Sequence, residues 1–225
     1  MSRKVEISVV IRARNEDRWI GHCIQSVLDN IESPEIIVID NMSTDETIPI
    51  VKTFQHDPTL SDSKGYTSTK VIQIEDYSPG KALNMGISNA SGKYVLIISS
   101  HCVLREFPEE LVKQYLQEHI AVFGNQTPFY NGKRISKRYL WSHFIEEEVV
   151  NMFSDIEERY FFHNALSFFK KSDITKFPFN ENLTGKEDRY WAIDIVKKGK
   201  SYIYAPSLSA DHHYTENGNT WKGIG

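Results

Sequence analysis

The stretch Val5-Glu-Ile-Ser-Val-Val-Ile-Arg-Ala-Arg-Asn-Glu16, followed across a helical segment by Ile36-Ile-Val-Ile-Asp40-Asn-Met-Ser43-Thr-Asp45, decides the fold. Two short β-branched runs each end in polar and charged residues. Between them Trp19, Ile20, Cys23, Ile24, Val27 and Leu28 recur at helical spacing. Two buried strands joined by an amphipathic helix make a parallel βαβ unit. Its polar residues collect at the carboxyl edge of the sheet, where open α/β sheets bind their ligands. Strands are expected over 5–11 and 35–40, with a helix over 16–29 between them.

The alternation continues beyond this unit. Ser43-Thr-Asp-Glu46 has the form of a capping box and predicts a helix running to about Gln55. Residues 56–69 are polar and read as a loop. A strand over 70–74 and a helix over 79–90 follow, with Pro79 in the first turn where proline is tolerated. A strand over 94–98 then empties into Ser99-Ser100-His101. Strict β/α alternation argues for an α/β fold, a doubly wound, mostly parallel sheet with helices on both faces. The second half is less regular. Helices are expected over 108–119, 139–153 and 186–198, strands over 120–124, 165–170, 201–204 and 208–213, and a loop over 125–138. No repeat, low-complexity run or linker divides the chain, so a single domain over 1–225 is expected.

With 225 residues the chain can bury a substantial core. A formal net charge of −4 gives no electrostatic case for nucleic acid, which asks for a basic patch. Cys23 and Cys102 lack metal-ligand spacing and read as reduced thiols of a cytoplasmic protein. No apolar run approaches the ~18 residues of a membrane span, and the N-terminus leads into a strand rather than a signal-peptide core. The expected location is cytoplasmic, with peripheral attachment at the inner face of a membrane left open.

Arg12, Arg14, Asn15 and Glu16 lie where a strand hands over to a helix N-terminus. An arginine there suits a phosphate, and Glu16 or Asn15 a base or ribose; the bland alternative is surface charge and a cap. Asp40 ends the second strand, where a carboxylate can hold a ribose hydroxyl, whereas Asp45 suits a helix N-terminus. Lys81 and Asn84 are three apart and share one helix face. A lysine in the first turn opposes the helix dipole, a conflict that a diphosphate would remove; otherwise Lys81 is simply exposed. Glu187 and Asp188 open a helix whose other face is Trp191, Ala192, Ile195 and Val196. A carboxylate held there can act as a general base, or serve as an ordinary acidic first-turn residue. His101, His163, His212 and His213 fall at or near strand ends. His212 and His213 are adjacent, so on a strand only one of them enters a given site. No pair has a zinc spacing.

In this order the pieces Val9-Val-Ile-Arg-Ala-Arg-Asn-Glu16, Ile37-Val-Ile-Asp40-Asn-Met-Ser43-Thr-Asp45, Lys81-Ala-Leu-Asn84-Met-Gly86-Ile, Ala90-Ser-Gly92-Lys-Tyr-Val and Thr184-Gly-Lys-Glu187-Asp188 resemble the family 2 glycosyltransferases, which have the GT-A, Rossmann-like fold. The resemblance spans about Val5 to His213. It implies inverting transfer of a sugar from a nucleotide-sugar donor to an acceptor hydroxyl, in cell-surface polysaccharide or glycolipid synthesis. Residues 5–98 would be the nucleotide-binding half, with Arg12, Arg14, Asn15, Glu16, Asp40, Lys81 and Asn84 toward the nucleotide. Residues 99–225 would be the acceptor-binding and catalytic half, with Asp188 as base and Glu187 orienting acceptor or base.

The departure from the family falls at Ser99, Ser100 and His101, where family members usually carry an Asp-x-Asp that holds Mg²⁺ or Mn²⁺. Hydroxyls and a neutral imidazole suit Mg²⁺ poorly. One expectation is that basic side chains face the leaving diphosphate, His101 and Lys81 foremost, Arg12 or Arg14 assisting, and His163 or His213 behind them. The rival is a divalent metal held by His101 with His212 or His213, for which imidazole favours a transition metal. Two other functions compete. A non-catalytic nucleotide-sugar-binding protein would have little need of Glu187-Asp188, and a sugar nucleotidyltransferase would need a glycine-rich loop that Arg12–Glu16 lacks.

Overall fold

A computed structural model describes residues 5–55, 68–135 and 139–218. The elements run β1 (Ile7–Ala13), α1 (Ile20–Asn30), β2 (Glu35–Asp40), α2 (Thr47–Thr53), β3 (Ser68–Gln73), α3 (Pro79–Asn89), β4 (Tyr94–Ser99), β5 (Cys102–Glu106), α4 (Glu109–Glu118) and β6 (Ala121–Tyr130). After these come β7 (Lys133–Arg134), a 3-10 turn at Tyr139–His143, β8 (Val149–Val150), β9 (Phe153–Ser154), β10 (Arg159–Tyr160), β11 (Leu166–Lys170), α5 (Lys171–Lys176), α6 (Glu187–Lys197) and β12 (Tyr202–His213). Among the described residues, no helix is long and apolar enough to cross a membrane.

One sheet carries elements from both ends of the chain, in the order β3-β2-β1-β4-β11-β6-β12-β5. The first four strands are parallel. β11 runs antiparallel to β4 and β6, β12 lies parallel to β6, and β5 closes the edge antiparallel to β12. Strand alternation sends successive residues to opposite faces. Val9 and Ile11 join α1 residues Ile20, Ile24 and Val27 in one apolar layer. Val10 joins Leu83 of α3 and Trp191 and Ile195 of α6 in the other. Helices on both faces explain why the central strands are continuous apolar runs rather than half-polar ones.

Two predictions arise from this packing. Gly86 lets α3 lie directly on β1, because a Cβ there would collide with Val10 Cγ1. Gly86→Ala should cost roughly 1–3 kcal/mol, the scale of overpacking a filled core, read as a lower urea midpoint. The second concerns Glu35, which is 2% exposed at the start of β2. It accepts from Ser8 Oγ at 2.5 Å, Lys70 Nζ at 2.6 Å, and Ser91 N–H at 2.7 Å and Oγ at 2.9 Å. Burial alone would raise its pKa, but these hydrogen bonds outweigh burial and hold it below the usual carboxylate range. A depressed folded pKa contributes stability that is present above the unfolded value of ~4.3 and is lost as pH falls through the folded one. Denaturation of the wild type should therefore ease more steeply on acidification below that value than denaturation of Glu35→Gln. Equal slopes would refute the assignment.

Several boundaries differ from the sequence expectation. α1 begins at Ile20 rather than Glu16, because the Glu16 carbonyl first closes a turn on the N–H groups of Trp19 and Ile20. The capping box does not form. Ser43 Oγ instead accepts the Asn15 N–H at 2.9 Å, and α2 starts at Thr47, whose N–H is held by Asp45 Oδ1 at 3.0 Å. Residues 125–130, expected as loop, continue β6 because β12 pairs alongside them from Ser209↔Asn125 to His213↔Phe129; of the rest of that loop, 136–138 lie outside the described residues, as do 56–67 of the earlier one. No α-helix forms over 139–153. Trp141, Phe144 and Met152 enter the core from a 3-10 turn and short strands, so their burial imitated a helical period. The two expected late strands are one, β12, with an irregularity between Ala205 and Ser209. β5 and α5 were not anticipated.

Candidate functional site

The carboxyl ends of β1 and β4, the turn between β4 and β5, and the distal halves of β6 and β12 meet at one edge. The His213 N–H bonds the His101 carbonyl at 2.9 Å, and the register sets His212 opposite Cys102. This draws β12 against the turn and sends His212 inward. A buried chain of side chains results. Glu16 Oε1 lies 3.1 Å from His101 Nδ1, and His101 Nε2 lies 3.0 Å from His212 Nε2. His212 Nδ1 lies 2.7 Å from Gln126 Oε1, and Gln126 Nε2 lies 3.0 Å from His163 Nδ1. Burial foremost, with the neighbouring His101, His163 and His213, pushes the His212 pKa well below the ordinary value. Burial and then the Arg189 charge do the same at His163. His213 takes the opposite face, where its ring stacks on Trp19 with centroids 3.8 Å apart, and burial brings its pKa down to about 4.

The second feature is the pair of carboxylates opening α6, where Lys186 takes a left-handed turn with φ 59°. Glu187 Oε1 accepts from Arg12 Nη1 and from Asn164 Nδ2, both at 2.9 Å. Asp188 Oδ1 accepts the Arg189 N–H at 2.8 Å, and its Oδ2 faces Arg189 Nη1 at 3.1 Å and the Asn164 N–H at 3.4 Å. Arg189 in turn is fixed by the Phe162 carbonyl and stands 4.0 Å over the Phe161 ring. Arg12 also donates to the Pro79 carbonyl at 3.3 Å, tying the N-termini of α3 and α6 together. Burial alone would lower the Arg12 pKa; Glu187, then Tyr77 and Asp188, more than offset this and raise it.

Other expected residues have different tasks. The Asn84 amide has partners within the protein. Its Nδ2 donates to the Phe179 carbonyl at 2.8 Å and Glu181 Oε1 at 2.9 Å, and its Oδ1 accepts the Phe179 N–H at 3.1 Å. It straps that segment to α3. Lys81 pairs with the exposed Asp76 at 2.5 Å, and Arg14 is exposed. Asp40 is fully buried and accepts the Ser43 N–H and Gln73 Nε2, each at 3.2 Å. Asn15, at φ 51°, accepts the Thr44 N–H at 2.8 Å. Glu16 is 5% exposed and also accepts from Thr215 Oγ1 at 3.2 Å, so its carboxylate is engaged within the protein. Asp40, Asn15 and Glu16 thus shape the edge through its loops. Ser99 is half-buried, and its carbonyl accepts the Cys23 thiol at 3.5 Å; Ser100 is buried. Gln126, Asn164 and Thr215 were missed by the sequence reading. Asn164 follows His163, which was the only local signal for it.

Of the basic side chains expected to face a leaving diphosphate, His101 stands at the expected position, and Lys81, Arg12 and His213 have partners within the protein. Lys81 is held by Asp76, Arg12 by Glu187, and His213 by Trp19. His101 and His212 are the two side chains at this edge that could be offered to a metal ion. Each Nδ1 is backed by an oxygen acceptor, as in anchored metal-binding histidines, but the two Nε2 atoms stand 3.0 Å apart, the separation of an N–H···N hydrogen bond. Among the described residues no group of three or more His, Cys, Asp or Glu that could hold a metal ion gathers. Two imidazoles favour a transition metal over Mg²⁺.

A doubly wound sheet with this edge is the GT-A fold. TarS 1–349 from S. aureus in complex with UDP-GlcNAc superposes with a TM-score of 0.71 at 18% identity, over 97% of this chain and 61% of that one. The chain belongs to glycosyl transferase family 2, whose model matches residues 8–176. It is 29% identical over 120 residues to the dolichyl N-acetyl-alpha-D-glucosaminyl phosphate 3-beta-D-2,3-diacetamido-2,3-dideoxy-beta-D-glucuronosyltransferase of Methanococcus voltae, covering 52% of this chain and 33% of that protein. It is 24% identical over 225 residues to the poly(ribitol-phosphate) beta-N-acetylglucosaminyltransferase TarS of Staphylococcus aureus strain Mu50, covering 92% of this chain and 37% of that protein. The chain therefore spans about a third of the length of these relatives.

Proposed function

We propose that the chain is the catalytic domain of an inverting glycosyltransferase. It moves a sugar from a nucleoside diphosphate sugar to an acceptor hydroxyl, in the synthesis of a cell-surface polysaccharide or glycolipid. The observation that carries this reading is the rigidly held Glu187-Asp188 pair at the same sheet edge as the His101–His212 pair. Family membership supports the reaction class. The UDP-GlcNAc bound to the TarS neighbour supports a nucleoside diphosphate sugar as donor.

In a direct displacement the acceptor oxygen bonds the anomeric carbon as the bond from that carbon to the phosphate oxygen breaks. The electron pair leaves with the nucleoside diphosphate, and the acceptor proton passes to Asp188. One base suffices. Arg189 and the Asn164 N–H keep the Asp188 carboxylate aimed. Arg12 and the Asn164 amide hold Glu187, which orients acceptor or base. Lys81, at the rim, can exchange Asp76 for a donor phosphate. His101 and His212 would hold a transition metal such as Mn²⁺, which when bound neutralises charge on the donor diphosphate. Cys23 and Cys102 are both free, which suits a cytoplasmic setting.

A calorimetric screen of nucleoside mono- and diphosphates and their sugars, with and without Mn²⁺, tests the reading. Binding of at least one nucleoside diphosphate sugar, strengthened by Mn²⁺, is expected. Binding of none of them, in either condition, would overturn it.

A further inference from the structure

We infer that Glu157, in the turn between β9 and β10, is a positioning residue for Asp188 that acts through the Arg189 guanidinium. The inference rests on the transferase reading, in which Asp188 takes the acceptor proton, but the arrangement itself can be read without any sugar.

Arg189 is 4% exposed, and a buried guanidinium needs both counter-charge and acceptors for its N–H groups. Its Nη1 donates to the Phe162 carbonyl and to Asp188 Oδ2, the latter at 3.1 Å. On the other flank Glu157 Oε2 lies 3.4 Å from Arg189 Nε, which has no hydrogen-bond partner among the described residues. Glu157 therefore meets that flank as a charge rather than as a hydrogen-bond acceptor. The Phe161 ring completes the seat, its centroid 4.0 Å from Arg189 Cζ.

Glu157 is itself fixed. Its neighbours Asp155, Ile156 and Glu158 are exposed, yet the Glu157 side chain is only 6% exposed. Its N–H donates to Ser154 Oγ at 3.1 Å, and Arg159 Nε and Nη2 both reach its Oε2 at 2.8 Å. Burying one of the three carboxylates of this turn costs desolvation, which the two guanidinium groups offset. Arg189 thus stands between two carboxylates that share its charge. Asp188 Oδ2 keeps one guanidinium bond, with the Asn164 N–H at 3.4 Å beside it. With Glu157 made neutral, the ion pair left to Arg189 among the described residues is Asp188. The guanidinium is then drawn off the Phe161 ring onto Oδ2, and an acceptor hydroxyl meets a carboxylate that is turned and more strongly engaged.

The test uses the full chain with ¹⁵N-labelled arginine. The Arg189 Nε–H resonance, identified by its loss in Arg189→Lys, is displaced by the ring current of Phe161 and reads the guanidinium position without any ligand. Wild type is expected to show this displacement and slow exchange of that proton with solvent. Glu157→Gln and Glu157→Met should lose most of the displacement, whereas Glu157→Asp and Arg159→Gln, which keep the charge at 157, should retain it. An unmoved resonance in the neutral variants, or an equal loss in Arg159→Gln, would overturn the inference. So would exchange at the rate of free arginine in the wild type, which decides even where a variant fails to fold. Transfer is measured separately, with the donor that the nucleotide-sugar screen identifies. Glu157→Gln should lower kcat by ~10–100-fold at near wild-type donor KM, since a misplacement on the order of 1 Å costs up to ~10²-fold. Glu157→Asp should recover most of this loss. A merely structural turn predicts the reverse order, because glutamine keeps the side-chain length, and that order or a wild-type kcat in Glu157→Gln would also overturn the inference. A chain that binds and transfers no sugar, yet shows the expected Arg189 displacements, refutes the proposed function alone.

Discussion

Asp188→Asn should lower sugar transfer by at least ~10²-fold, the usual scale for a lost acid–base group, while nucleotide-sugar binding stays near wild type. Asp188 opens α6, is 8% exposed, and is aimed by the Arg189 N–H at 2.8 Å and by Arg189 Nη1 at 3.1 Å. An asparagine keeps one oxygen to accept from the Arg189 N–H, so the first turn of α6 should persist. What it loses is the capacity to take a proton. Single-turnover transfer, calorimetric donor affinity and a urea midpoint measured on the same variant separate chemistry from binding and folding. Transfer near the wild-type rate would remove Asp188 from the mechanism, and lost donor affinity would make it a binding residue.

His212→Ala should abolish saturable Mn²⁺ binding and cut transfer by ~10²–10³-fold, comparable to removing a preorganised group that faces developing charge. His212 is fully buried, and its Nε2 stands 3.0 Å from His101 Nε2. His213→Ala provides the contrast, since its ring stacks on Trp19 on the other side of the strand. That variant should bind Mn²⁺ as the wild type does. In the same assay a strong chelator should stop transfer, with Mn²⁺ restoring it more fully than Mg²⁺. Transfer that survives the chelator would restore the reading in which basic side chains, His101 and Lys81 foremost, face the leaving diphosphate.

Much of this fold was legible because its signals are local. β2 was expected over 35–40 and is found at Glu35–Asp40. α3 begins at Pro79 as its proline predicts, and Ser78 accepts the Lys81 N–H at 3.1 Å as its cap. α6 announced itself through Glu187 and Asp188 ahead of an apolar face, and both carboxylates do open it. The failures came where a segment takes its structure from a distant partner. Residues 125–130 are too polar to read as a strand, and they become one by pairing with β12. Lys81 and Asn84 share a helix face, yet Asn84 is claimed by Phe179 and Glu181.

The parallel βαβ half, the sheet edge at which polar residues gather, and the rule that only one of His212 and His213 could enter a site there can all be read along the chain. These follow from periods of two and 3.6 residues, which a chain carries in its own order. Which histidine enters, its meeting with His101 and the place of Gln126 behind it are settled by the folded chain. Those outcomes depend on the register of β12 against β5 and β6, and a shift of one residue would turn His212 outward and His213 inward. Register is set by the summed packing and hydrogen bonding of strands far apart in sequence, and no local pattern records it.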